Sequence, residues 1–149
     1  MTRRLVIGVG NPLRGDDGAG RAVARLLAER AAPGLVVHES SGEATSLMEA
    51  WTGFDDVVLV DACRGAGPPG SIHALPADEV DRIASLRHAS SHSLGVAAAI
   101  GLARALGTLP VRLAVHAIEV RDTAEGESLS PQVEGAVRRL ADELAAGSR

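Results

Sequence analysis

RLVIGVGNPLRGDDGAG, residues 4–20, is the stretch on which the fold turns. Residues 4–9 form a short apolar, β-branched run that stops at a Gly-Asn-Pro turn, the pattern of a buried strand. From Asp17 a helical period takes over: Ala19, Ala22, Val23, Leu26 and Leu27 share one face, Arg21, Arg25 and Glu29 point away, and Pro33-Gly34 ends the run. Asp16 fits the N-cap of that helix and Asp17 its first position, where carboxylates gain about 0.3–1 kcal/mol each from the helix dipole. A strand that passes through glycines into a helix opens a parallel α/β unit.

The rest of the chain repeats this alternation. Strands are expected at 35–38, at 57–60 ending in Asp61, at 71–75 and at 111–120; helices are expected at 44–51, weakly at 77–84, at 93–107 and from Pro131 to Gly147 behind a Ser130 N-cap. The strands are solidly apolar, which indicates a mainly parallel sheet with helices on both faces. No repeat, low-complexity tract or linker divides residues 1–149, so one α/β domain is expected. Functional groups in such sheets gather at the carboxyl ends of the strands.

Composition narrows the function. The chain is 46% hydrophobic and 23% charged with net charge −4, values of a globular protein without a basic footprint for nucleic acid. One Trp, one Phe and no Tyr leave few rings on which bases would stack. The single cysteine, Cys63, fits a reducing compartment. The N-terminal apolar run is too short for a signal peptide, and residues 94–107 fall short of the roughly 20 needed to cross a bilayer. A cytoplasmic protein with no membrane partner is expected.

The glycine turn lacks two nucleotide signatures. Gly8 and Gly10 begin G-x-G-x-x-G, but Leu13 stands where the third glycine belongs, and no Walker lysine follows. Asp16 and Asp17 would also compete with a phosphate for the same amides. A different ligand chemistry suggests itself at the strand ends. Asp17, Asp61 and His92 (in ASSHSLGV, before the apolar helix) offer two carboxylates and an imidazole, a three-ligand set for a borderline divalent metal with positions left open for substrate.

Other schemes are weaker. Ser91 and Ser93 flank His92 without a G-x-S-x-G elbow, and Cys63 reads as a small buried hydrophobe more readily than as a nucleophile. His38, His73, His88 and His116 have no evident partner, and His116 in its apolar strand fits packing or a hydrogen bond. The apolar residues of the helix after His92 (Leu94, Val96, Ile100, Leu102, Leu106) fit burial, with its first turn as an alternative docking patch.

Taken in order, GVGNPLRGDDGAG, VVLVDA, SSHSLG and the late ESLSPQV resemble the hydrogenase maturation endopeptidases over almost the full length. The resemblance implies a nickel-dependent, aspartate-type hydrolase that removes the C-terminal peptide of a [NiFe]-hydrogenase large-subunit precursor. It implies a twisted, mostly parallel five-stranded sheet in three layers with one antiparallel strand, for which residues 71–75 are the candidate. By motif position it places the family's acid, Asp and His on Asp17, Asp61 and His92, with nickel presented by the precursor. Two departures stand out: SSGEATS around Glu43, where the family usually has Gly-Thr, and Ile118-Glu119-Val120 in place of I-E-P. A non-catalytic module of the same fold, binding a nucleotide or a maturation partner, is the alternative.

Overall fold

In the computed structural model, residues 3–65, 67–79, 91–121, 126 and 128–147 are described, and of residues 91–94 the backbone alone. Five strands, β1 (Arg4–Val9), β2 (Leu35–Ser40), β3 (Asp56–Cys63), β4 (Ile72–Pro76) and β5 (Arg112–Glu119), alternate with four helices. These are α1 (Ala19–Arg30), α2 (Ala44–Trp51), α3 (Ser91–Leu106) and α4 (Pro131–Ala145). The sheet order is β2-β1-β3-β5-β4. All neighbours are parallel except β4, which runs antiparallel to β5, as expected for residues 71–75.

Alternation along the strands divides the core in two. Leu5, Ile7, Val9, Val57, Leu59, Leu113 and Val115 pack with Leu47 and Trp51 of α2 and Val96 and Ile100 of α3. Val6, Val58, Val60 and Ile118 pack with Val23 and Leu27 of α1 and Val133, Val137 and Leu140 of α4 on the other face. Both faces are covered, which is why the strands are apolar on both sides. Val96 therefore belongs to the core and not to a docking patch, while Leu102 and Leu106 are exposed; the Leu94 side chain lies outside the described residues.

Several boundaries differ from the sequence reading. β2 runs on to Ser40 instead of stopping at residue 38, and α3 starts at Ser91 instead of 93, so His92 lies in its first turn and not before it. β3 extends to Cys63 because its ladder with β5 continues through Cys63 opposite Glu119, so Asp61 sits inside the strand. Helix α1 begins at Ala19 after a 3-10 turn, Gly15–Gly18, which holds both aspartates. After β4 there is a 3-10 turn, Ala77–Glu79, while the rest of the expected 77–84 helix lies outside the described residues.

Candidate active site at the carboxyl rim

Glycines set how close the first helix comes. A Cβ at Gly20 would overlap the carbonyl oxygens of Val9 and Val60, and one at Gly8 would overlap that of Gly20. Backbone therefore packs on backbone, and α1 rides over the carboxyl ends of β1 and β3. The turn that leads into it has little left for a phosphate. The amides of Gly10, Asn11, Leu13, Arg14, Gly15 and Asp17 already donate to Ser40 O, Asp17 O, Asn11 Oδ1, Asn11 O, Gly126 O and Arg14 O. This is a closed turn whose donors are spent internally.

Asp16 is not the N-cap of α1. Its buried carboxylate reaches across the molecule instead, accepting from Ser130 N–H (2.7 Å), Ser130 Oγ–H (2.8 Å) and Arg121 N–H (3.0 Å). Ser130 has the extended backbone of an N-cap and precedes Pro131, as expected, but its hydroxyl is given to Asp16 and not to its own helix. The charge of Asp16 thus sits at the N-terminus of α4, where the dipole favours it. Its role is to join the acidic turn to the last helix.

Asp17 and Asp61 are 3% and 0% exposed, respectively. The Asp17 carbonyl accepts from Asn11 N–H at 3.2 Å, which fixes the residue beyond the end of β1. The 3-10 turn packs directly on β3, the strand of Asp61, whose Oδ1 accepts from Ala62 N–H at 2.8 Å. By alternation with Val57 and Leu59, Asp61 faces the side of α2 and α3. His92 is the second residue of α3; its side chain lies outside the described residues. The helix start itself is placed, because a Cβ at Gly95, one turn on, would overlap the Gly42 carbonyl in the loop after β2. The two acids and the beginning of α3 therefore occupy one rim.

That rim has a topological reason. In the order β2-β1-β3-β5, the chain leaves β1 toward β2 on one side and leaves β3 toward β4 on the other. The crevice of a parallel sheet opens where successive connections diverge in this way. Asp61 lies in β3 near its carboxyl end, and Asp17 lies in the turn after β1 that packs on β3. A separate groove of about 730 Å³, lined by Leu13, Leu26, Leu129 and Val137, lies between α1 and α4 without either acid in its walls.

One constellation was not read from the sequence. His73 has a partner after all: its Nε2 lies 3.2 Å from Glu119 Oε1, and the Cys63 thiol donates to the same oxygen at 3.8 Å. Burial, reinforced by the negative charges of Glu119 and Asp61, pushes the Cys63 thiol far above its ordinary range. A thiol so held is no nucleophile.

The family model for hydrogenase maturation protease (HycI) matches residues 21–146. The chain belongs to the hydrogenase maturation protease family. Among its relatives, the hydrogenase expression/formation protein HupD of Thiocapsa roseopersicina is 33% identical over 134 residues, covering 87% of this chain and 60% of its own length. The chain thus spans less than two thirds of that relative. HybD, the hydrogenase maturating endopeptidase of E. coli, superimposes with a TM-score of 0.84 at 22% identity, covering 98% of this chain and 91% of its own. The maturation protease HycI of Thermococcus kodakarensis gives 0.72 at 25% identity, over 97% and 91%. The match to the family model begins after the acidic turn, so it includes Asp61 and His92 but not Asp17.

Proposed function

We propose that this protein is an endopeptidase that removes the C-terminal peptide of a [NiFe]-hydrogenase large-subunit precursor, with Asp17, Asp61 and His92 as its working residues. Family membership supports the reaction class. The observation that supports the site is that Asp17, in the turn after β1, and Asp61, near the carboxyl end of β3, belong to the two strands at which the connections diverge, with the helix of His92 starting at the same rim.

The donor set is hard oxygen from two carboxylates and borderline nitrogen from one imidazole, which suits Ni(II) or Zn(II) and leaves positions for substrate ligands. In this reading nickel arrives with the precursor and is part of the substrate; it supplies Lewis acidity at the scissile carbonyl. The protein's own share is positioning. Buried in the rim, the two carboxylates are held by backbone that cannot shift without moving β1 and β3. The backbone puts His92 in the first turn of α3, and a neutral imidazole there would be the nitrogen ligand that the reading requires. The single cysteine fits work in a reducing cytoplasm.

The test is incubation with purified large-subunit precursor, loaded with nickel or stripped of it, followed by mass measurement of the large subunit. Shortening of the loaded precursor alone is expected. Equal shortening of both forms, or of neither, contradicts the proposal.

A further inference from the structure

Two positions beyond Asp61 on the same sheet face, three different ligand types converge from three adjacent strands. Cys63 closes β3, Glu119 is its register partner at the end of β5, and His73 lies on β4 opposite Ala117. One ligand atom from each lies within 4.8 Å of the other two. We propose that Cys63, His73 and Glu119 form a second site, separate from Asp17, Asp61 and His92, for one borderline divalent cation of the Zn(II) or Ni(II) class.

The spacing is the argument. In a tetrahedral site with metal–ligand bonds of about 2.0–2.3 Å, neighbouring ligand atoms lie roughly 3.3–3.8 Å apart. Nε2 of His73 and Sγ of Cys63 stand 3.2 and 3.8 Å from Glu119 Oε1. Two edges of the polyhedron are therefore already built. The ladder sets them: a parallel pair holds Cys63 and Glu119 side by side, and the antiparallel β4 brings His73 up on the far side of Glu119. Thiolate, imidazole and carboxylate together select against Ca(II) and Mg(II), which prefer oxygen alone. Glu119 and Cys63 are buried while the His73 side chain is 27% exposed, so an ion enters past the imidazole at the edge strand. As the ion binds, the thiol proton leaves to solvent and the thiolate takes its place beside the cation. Asp61 stands two residues before Cys63 on β3, roughly 6.6 Å of strand rise away, and the ligand atoms that lie within 4.8 Å of one another are those of Cys63, His73 and Glu119.

The test is independent of proteolysis. Protein treated with chelator is titrated with Co(II), which reports thiolate ligation by a charge-transfer absorption in the near ultraviolet, and then with Zn(II) in competition. One equivalent of Co(II) with that absorption is expected in the wild type and in Asp17→Asn. Cys63→Ser is expected to lose the absorption, and His73→Ala, at the half-exposed position, to weaken binding by at least the roughly 10–100-fold that even an outer-shell partner costs. Wild-type protein that binds Co(II) without a thiolate absorption, or not at all, overturns the proposal. So does an absorption that persists in Cys63→Ser or is lost in Asp17→Asn. The circular dichroism of each variant shows whether it is folded, and His73→Ala serves if Cys63→Ser is not.

Discussion

Asp16 and Asp17 are neighbours with opposite assignments. Asp16 accepts three hydrogen bonds from the segment before α4, so its loss leaves donors of Arg121 and Ser130 unsatisfied. Asp16→Ala is expected to destabilise the fold by about 2–4 kcal/mol in urea titration. Sequence alone favoured it as a local cap because its partners lie 105 and 114 residues away. His116 was expected to be packed or hydrogen-bonded, and it is packed: among the described residues its Nδ1 has no partner. Burial holds its imidazole below the ordinary 6.5; Arg4 adds to this and Glu143 opposes it. Below 6.5 the unfolded chain takes up a proton that the folded protein refuses. The contribution of His116 is therefore complete above 6.5 and is lost as pH falls through that value toward the folded one. Between about pH 7 and about pH 5, His116→Leu is expected to lose less stability than wild type, by at most about 1.4 kcal/mol per pH unit. Parallel pH-dependent urea titrations check this.

At the scale of elements, glycine has opposite meanings in two helices. Gly20→Ala places a methyl against the Val9 and Val60 carbonyls. It should cost about 1–3 kcal/mol despite the better helix propensity of Ala. Gly101, exposed on α3 with nothing within 4 Å, has no such neighbour. Gly101→Ala should stabilise by about 0.5–1 kcal/mol. Thermal and urea midpoints of the two variants should move in opposite directions. The periodicity of 44–51 and 131–145 made α2 and α4 legible, since amphipathic faces are written locally. The end of β3 and the start of α1 were not. The first depends on a ladder with β5, more than fifty residues on, and the second on where the turn meets β3. The same limit hid His73, whose partner Glu119 is 46 residues away.

For the molecule as a whole, parallel topology places the chemistry at one end. The carboxyl rim gathers Asp17, Asp61 and the start of α3, whereas the amino end is closed by Asp56 between Arg4 and Arg112. The α/β class and its sheet were legible because apolar strands alternate with helices throughout. Because β1 and β3 lie side by side, the turn after the first and the last residues of the second come to the same end of the sheet; that Asp61 would lie inside β3 was not legible. The most direct measurement is cleavage of nickel-loaded precursor by Asp17→Asn, Asp61→Asn, His92→Ala and the triple variant, each first shown to be folded. If the three side chains act on one cation, every single substitution slows cleavage by at least roughly a hundredfold, and the triple is little worse than any single. A single variant that cleaves at close to the wild-type rate contradicts the account.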